Sequence, residues 1–140
     1  MTSTDRGLLA KKYFLDGFNC SQAVALAFED VIGLDSKTIL KMSSAFGGGM
    51  GRLREVCGAV SGIFLVLGFV RGYDEGSDYE GKKRLYSEVQ TLASTFQDKY
   101  GSIVCRDLLA GVSVSAGSSP EQIEYAARIL HEFLEENGEI

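Results

Sequence analysis

The chain has 140 residues, of which 45% are hydrophobic and 24% are charged, and its formal net charge is −5. A chain of this size fits one domain with one hydrophobic core, and its composition is that of a soluble globular protein. The negative charge argues against nucleic acid or an anionic membrane as a partner, because both are recognised by clustered Lys and Arg. Three cysteines are an odd number and no export signal is visible, so we expect reduced thiols in a cytoplasmic protein.

Helical periodicity runs through almost the whole chain, and no segment shows the sustained alternation of a strand. A first helix is predicted over about 5–16. Asn19 then begins a second helix, with Gln22 at the spacing of a capping box, and this helix is expected to continue to Gly33. Asp35 opens a third helix. Its predicted inward residues are Ile39, Met42 and Phe46.

The most apolar stretch is predicted to be a central helix over about 56–72. It is shorter than the roughly 20 apolar residues that a membrane span needs, so no span is expected. Gly58 and Gly62 lie on one face of this helix and would let a neighbouring helix approach closely. Excess apolar surface on the helix would favour a homodimer, which the sequence alone does not establish.

The second half of the chain is also predicted to be helical. A long helix is expected over about 78–100, and Ser102 is expected to cap a short helix. After a loop over 111–118, Ser119 is predicted to be the N-cap of the last helix, with Pro120 at its first position and Gln122 at its third. The sequence therefore predicts an all-α fold, a single domain built as a bundle of about six helices around the central one.

A glycine-rich segment, FGGGMG over 46–51, precedes the central helix. It lacks the Lys-Ser/Thr pair and the preceding strand of a phosphate-binding P-loop, which argues against a nucleotide site. We interpret it as a tight entry that shapes a site and lets backbone N–H groups approach it. The glycines expected to do so are Gly47, Gly48, Gly49 and Gly51, together with Gly58 in the central helix.

The three cysteines all fall in predicted first turns of different helices. Cys20 directly follows Asn19, and Cys57 lies at the start of the central helix. Cys105 comes three residues after Ser102. First turns carry unpaired N–H groups and the positive end of the helix dipole, and both lower the pKa of a thiol. Such thiols attack disulfides or ligate metals, whereas the alternative interpretation is that each cysteine is a small buried core residue.

Other polar residues carry weaker signals. His131, the only histidine, is expected at the surface of the last helix, because acidic residues surround it. Arg52, Arg54 and Glu55 follow the glycine segment and would either neutralise a thiolate or bind an anion, or else be solvated. Asp107 would either orient a nearby group or simply interact favourably with the helix dipole.

Four segments together resemble a known family. They are GFNCSQAV over 17–24, FGGGMG over 46–51, VCGAVSG over 56–62 and YGSIVCRDLL over 100–109. These segments are similar to those of the redox-active family named for its C_GCAxxG_C_C cysteine pattern. That family is described as redox-active or metal-binding, and it is similar to a region of split-Soret cytochrome c whose cysteines are described as holding an iron–sulfur centre.

The resemblance implies that Cys20, Cys57 and Cys105 are the first three family cysteines and act as redox groups or metal ligands. The fourth family cysteine usually precedes a proline at the start of the last helix, and Ser119 stands in that place. Four thiolates suit an iron–sulfur cluster or tetrahedral zinc, whereas three thiolates and a hydroxyl make a poorer site. A metal ion or an iron–sulfur cluster therefore stays open as a cofactor, weakened by the serine.

The leading hypothesis from these residues is a small cytoplasmic redox protein with a cysteine-lined site at helix N-termini. It would act by thiol chemistry or by metal ligation, with a small molecule or a redox protein as its partner. Two alternatives stay open: a non-catalytic module that binds a small anion or cofactor at the glycine segment, and a structural oligomer whose cysteines are buried. The positions of the three thiols distinguish these hypotheses.

Overall fold

The structure, a computed structural model, describes residues 1–111 and 118–140. Within these ranges the chain forms helices joined by turns, with one isolated β-bridge and no strand. The helices are α1 (Ser3–Leu15), α2 (Cys20–Leu26), α3 (Glu29–Ile32), α4 (Ser36–Ser43), α5 (Gly47–Met50), α6 (Gly58–Arg71), α7 (Tyr79–Tyr100), α8 (Cys105–Ala110) and α9 (Ser119–Glu136), with a 3₁₀ turn at Ser44–Phe46. The predicted all-α fold is confirmed, and most of the predicted loop over 111–118 lies outside the described residues.

Helix α6 is the central helix that its composition predicts. It packs against α2, α7 and α9, and its first half is almost completely buried. Gly62 faces α2, where an added Cβ would lie 2.8 Å from the Cβ of Val24. The predicted close approach of a neighbouring helix is therefore confirmed. No helix in the described part of the chain is both long enough and apolar enough to cross a membrane.

The second predicted helix divides into α2 and α3. The capping box at its start is confirmed, because Asn19 Oδ1 accepts from Gln22 N at 2.9 Å and Asn19 N donates to Gln22 Oε1 at 3.1 Å. The predicted continuation is wrong, since Phe28 leaves the helical conformation with φ −108° and ψ 21°. The break frees the carbonyl of Ala27 to accept a hydrogen bond from Arg6 Nη1 at 2.8 Å. Gly33, in the left-handed conformation, ends α3.

Helix α4 follows its predicted cap but not its whole predicted face. Asp35 accepts a hydrogen bond from Thr38 N at 3.3 Å, and Ile39 is buried as expected. Phe46 is partly buried, but Met42 is 52% exposed, so its prediction as an inward residue is wrong. Met42 instead borders an open apolar hollow that Ile39 and Phe69 also line.

Helices α1 and α9 join the two ends of the chain, and His131 lies between them. Its side chain is fully buried, so the prediction of a surface histidine is wrong. The Nδ1 atom accepts a hydrogen bond from Arg6 Nε at 3.2 Å, and Arg6 also donates to Asp30 Oδ1 at 2.5 Å. The guanidinium of Arg6 lies 4.6 Å from the centre of the Phe28 ring. Arg6 comes from the other end of the chain, so the acidic residues beside His131 in the sequence give no sign that this histidine is buried.

Candidate functional site

All three cysteines line one pocket of about 310 Å³, which we call the cysteine pocket. Its lining residues are Cys20, Gly48, Gly49, Arg54, Cys57, Gly58, Cys105, Leu108, Leu109, Ser118, Ser119 and Gln122. The three thiols are free, with no disulfide between them. Gly47 and Gly51 lie outside it and line an adjacent hollow, which Cys20 and Gly48 also border. The structure therefore brings together most of the residues that the sequence singles out.

Cys20 occupies the first helical position of α2, as predicted. It is half-buried, and helix α6 lies directly against it. A Cβ added to Gly58 would lie 2.9 Å from the Cβ of Cys20 and 3.2 Å from Ser21 N. The first glycine after Cys57 is thus required by close contact with another cysteine of the pocket.

Cys57 and Cys105 are joined through a short antiparallel pairing of their backbones. Val56 and Val104 form an isolated β-bridge. Cys57 N donates to Ile103 O at 2.7 Å, and Cys105 N donates to Glu55 O at 2.5 Å. Because side chains alternate along extended segments, the residues that follow the two bridged valines project to the same face. This pairing places two cysteines from distant segments in one wall of the pocket.

The helix positions predicted for these two cysteines need correction. Cys57 is the N-cap of α6 and does not lie in its first turn. Cys105 is the first residue of α8, whose N-cap is Val104, because the β-bridge keeps Val104 extended. Ser102 instead accepts from Val104 N at 2.9 Å and donates from Oγ to Asp107 at 3.0 Å. Asp107 therefore accepts a hydrogen bond from the Ser102 hydroxyl, and this hydroxyl is the nearby group that Asp107 orients.

The start of α9 is also shifted by one residue from its predicted position. Ser118 is the N-cap, and its N–H donates to the carboxylate of Glu121 at 3.3 Å. Ser119 is therefore the first helical residue, and it lines the cysteine pocket with the three thiols. Gln122, predicted only as a first-turn residue of the last helix, is buried in the same wall. Its place in the pocket had no signal of its own in the sequence.

The glycine-rich entry has an unusual backbone conformation. Five consecutive residues have positive φ angles between 62° and 71°: Gly48, Gly49, Met50, Gly51 and Arg52. Arg54 follows with φ 62°. A left-handed conformation costs a non-glycine residue about 1–2 kcal/mol, and strain of this kind is concentrated at functional sites. The sequence does not predict this left-handed conformation at Met50, Arg52 or Arg54, because Met and Arg are not residue types that favour positive φ.

Gly49 is the glycine that the pocket requires most directly. An added Cβ would lie 2.6 Å from the Cβ of Cys105 and 2.9 Å from the Cα of Arg54. A side chain at Gly47 would overlap Asn19, which caps α2. The glycine segment therefore packs between the beginnings of α2 and α8 and holds their cysteines in the same pocket.

Arg54 brings a positive charge to the pocket. Its guanidinium Nη1 lies 3.8 Å from Cys105 Sγ and donates a long hydrogen bond to it. Arg54 O accepts from Arg106 N at 3.2 Å, which fixes the backbone beside Cys105. Arg52 points elsewhere and borders the adjacent hollow, whereas Glu55 pairs with Arg106 at 3.3 Å on the surface. Of the three charged residues after the glycine segment, Arg54 alone lines the cysteine pocket.

Burial opposes the thiolate form of two of the cysteines. It raises the pKa of Cys57 to about 12, although backbone N–H groups of α6 act in the opposite direction. Burial also raises the pKa of Cys20, and the nearby Cys105 adds to this effect. The predicted lowering of thiol pKa by helix N-termini is therefore wrong for Cys20 and Cys57. Desolvation outweighs the helix N–H groups because both residues lie under neighbouring helices.

The donor set does not fit a bound metal as the side chains lie. No group of three or more His, Cys, Asp or Glu in the described residues is arranged to hold a metal ion, and 112–117 contain none of these types. The fourth family position carries a hydroxyl, at Ser119. We therefore derive no step through a metal or an iron–sulfur cluster.

Comparison with known proteins supports the resemblance noted from the four segments. No curated protein and no solved structure matches the chain. The family described as "Putative redox-active protein (C_GCAxxG_C_C)" matches residues 18–137, which include every residue of the cysteine pocket. The match covers far more than half of the sequence. The chain therefore belongs to the C_GCAxxG_C_C family.

Proposed function

We propose that this protein is a thiol–disulfide redox protein and that the cysteine pocket carries the reaction. The observation that supports this most strongly is the 3.8 Å approach of Arg54 Nη1 to Cys105 Sγ, in a pocket that also contains the other two thiols. A disulfide exchange reaction needs an attacking thiolate and a second thiol that resolves the mixed disulfide. The pocket offers candidates for both.

Cys105 is the attacking thiol in this proposal. It is half-buried and lies beside a guanidinium, so a positive charge faces the sulfur that becomes negative when its proton leaves. Its thiolate attacks one sulfur of a substrate disulfide. The substrate S–S bond breaks, a Cys105 mixed disulfide forms, and the other half of the substrate leaves as a thiolate.

Cys20 is the resolving thiol. It is less buried than Cys57, and it lines the same pocket as Cys105. Cys20 loses its proton to the departing thiolate and attacks Sγ of Cys105 in the mixed disulfide. A Cys20–Cys105 disulfide forms, and the second substrate thiolate leaves. Two protein thiols are then oxidised and one substrate disulfide is reduced to two thiols.

Cys57 has a structural part in this scheme. It is 5% exposed and belongs to the hydrophobic core. Its high pKa keeps it protonated at neutral pH, so it serves as a small apolar residue at the pocket floor. The packing interpretation of the sequence analysis therefore suits this cysteine best.

The test is reaction of the reduced protein with a neutral disulfide, bis(2-hydroxyethyl) disulfide, followed by mass spectrometry. We expect the wild-type protein to lose two thiols and form the Cys20–Cys105 bond. Cys105→Ala should form no adduct, Cys20→Ala should accumulate the mixed disulfide at Cys105, and Cys57→Ala should still form the internal bond. An adduct of equal rate in Cys105→Ala would overturn the assignment of the attacking thiol.

Metal ligation is the competing mechanism, and a separate measurement addresses it. Protein purified without oxygen should contain no stoichiometric metal and show no iron–sulfur absorption bands. A stoichiometric metal that is lost in Cys57→Ala would overturn the proposal, since a packing residue would then be a ligand. Thiol reactivity should be measured on metal-free protein, because a bound metal masks thiolates.

A further inference from the structure

We infer that the cysteine pocket selects small disulfides that carry a carboxylate, and that Arg54 binds this carboxylate. The inference rests on the proposed thiol–disulfide function and names the substrate class of the same site. It depends on the pairing of the arginines, the composition of the pocket wall and the size of the pocket.

Arg54 differs from the other arginines that are at least partly buried. Arg6 pairs with Asp30 at 2.5 Å, and Arg71 pairs with Glu88 at 2.9 Å. In the part of the chain that the structure describes, no carboxylate lies within ion-pair distance of Arg54. Residues 112–117 contain no Asp or Glu that would supply one. No carboxylate of the described residues therefore neutralises Arg54, although the net charge of the protein is −5.

A half-buried cation without a counter-ion is unfavourable, because burial removes water from the charge. The other described lining residues are apolar, glycine, cysteine, serine or glutamine, so Arg54 is the charged side chain among them. Nη1 faces the Cys105 sulfur, and a ligand carboxylate would pair with the remaining N–H groups of the guanidinium. Guanidinium groups bind carboxylates through two parallel hydrogen bonds, which also orients the ligand.

The position of Arg54 suits a carboxylate close to the reacting sulfur. Nη1 is 3.8 Å from Cys105 Sγ, so an anion on the guanidinium lies next to the sulfur that attacks. The volume of about 310 Å³ is at the small end of the range for ligand pockets. The pocket therefore suits a low-molecular-weight disulfide better than the surface of a folded protein.

The backbone holds Arg54 in this position. Its φ of 62° is left-handed, and its carbonyl is fixed by the N–H of Arg106 on the other side of Cys105. The carbonyl of Glu55, the next residue, accepts a hydrogen bond from Cys105 N. The cation and the thiol therefore belong to one hydrogen-bonded unit, and the guanidinium is directed into the pocket without a carboxylate of its own.

The test compares three disulfides of similar size and different charge: 2,2′-dithiodiacetate, bis(2-hydroxyethyl) disulfide and cystamine. Each rate is divided by the rate of a small free thiol with the same disulfide, which removes intrinsic reactivity. We expect wild-type protein to prefer the dianionic disulfide over the neutral one by about fivefold or more and to disfavour the dicationic one. The preference should weaken as salt is raised, because salt screens the charge.

Arg54→Gln should remove the preference, and Arg54→Lys should retain part of it, since the lysine keeps the charge but loses the paired hydrogen bonds. Arg106→Gln is the matched control: it makes the same change in charge one residue from Cys105, but Arg106 is exposed and does not line the pocket. Its ratio of anionic to neutral rates should equal that of the wild type.

Two results would count against the inference, and they are distinguishable. Equal normalised rates for the three disulfides, with no change in Arg54→Gln, would overturn the substrate class and leave the proposed thiol function standing. No reaction with any of the three, while the thiols remain reduced and the protein folded, would overturn the proposed function itself.

Discussion

Gly58 of α6 lies against Cys20 of α2 so closely that an added Cβ would be 2.9 Å from the cysteine Cβ. Gly62, one turn later, makes the same kind of approach to Val24 at 2.8 Å. At two successive turns of the central helix, therefore, only a glycine allows α6 to pack this closely against α2. One of those contacts is a wall of the cysteine pocket, so helix packing and pocket shape depend on the same residue.

Gly58→Ala is expected to destabilise the protein by about 1–3 kcal/mol, because the added methyl group must push α2 from α6. The free energy of unfolding in urea measures this, and the rate of Cys20 alkylation should change with it. Gly68→Ala is the matched control in the same helix, since no atom would lie within 4 Å of its Cβ. It should stabilise the protein by about 0.5–1 kcal/mol. Equal stability of the two variants would contradict the packing argument.

Gly49→Ala should disturb Cys105 more than Gly51→Ala does. Both positions are left-handed, so both variants lose about 1–2 kcal/mol of stability through backbone strain. The added methyl group of Gly49→Ala would also overlap Cys105, whose Cβ lies 2.6 Å away. The nearest atom to the corresponding Cβ at Gly51 is Ala45 O, at 3.6 Å. The rate of Cys105 alkylation, measured where both variants are folded, should change in Gly49→Ala alone. A similar change in both would assign the effect to strain and not to contact.

Cys57 should be the last thiol to react with iodoacetamide. The thiolate is the reactive form, and a pKa of about 12 leaves very little of it at neutral pH in a side chain that is 5% exposed. Cys105 should be modified first, because it is only partly buried, as Cys20 is, and its sulfur also lies beside the Arg54 guanidinium. Peptide mapping by mass spectrometry against time gives the order. Rapid modification of Cys57 in protein that remains folded would show that the core around it opens.

His131 should make the protein sensitive to mild acid. Burial, and secondarily the charge of Arg6, lower its pKa from the ordinary value of about 6.5, so the folded state keeps it neutral where the unfolded state binds a proton. Stability should therefore fall as the pH drops below about 6.5, down to the lowered pKa. The exposed neighbour Glu135, 3.9 Å from Nε2, and Asp30 act in the opposite direction but do not reverse the shift.

His131→Asn is the variant that tests this dependence, because the amide oxygen replaces the Nδ1 acceptor for Arg6 and does not titrate. The free energy of unfolding, measured at several pH values, should vary less with pH in the variant than in the wild type. Capping carboxyls do not confuse the result: hydrogen bonds from Thr2 and Thr38 lower the pKa of Asp5 and Asp35, so these carboxyls lose their charge in more acidic solution than free carboxyls do. Identical pH dependence in both proteins would contradict the role of His131.

Local signals predicted much of the fold. The capping box of Asn19 and Gln22, the cap at Asp35 and the apolar central helix are properties of neighbouring residues, and each is confirmed. The interruption at Phe28 was not predictable in this way. It depends on Arg6, a residue of another helix. Arg6 donates a hydrogen bond to the Ala27 carbonyl and stacks on the ring of Phe28.

The sequence allowed prediction of which residues line the pocket, but not of how the fold shifts their pKa values. The family resemblance selected Cys20, Cys57, Cys105 and Ser119, and all four line one pocket. The predicted direction of the pKa shift was wrong for Cys20 and Cys57. Their desolvation depends on helices that are distant in sequence. The left-handed conformation of Arg54 is likewise a product of tertiary pairing with the segment around Cys105.

The backbone pairing of Cys57 with Ile103 also has a consequence for folding. All of α6 and α7 lies between the two paired segments, so this pairing closes a long loop. Closing such a loop costs conformational entropy, which later contacts must offset. We expect the pocket to form late, after α6 and α7 have packed, and its thiols to be separate and accessible in partly folded chains. Hydrogen exchange at the amides of Cys57 and Cys105 would report directly on the moment at which the pocket assembles.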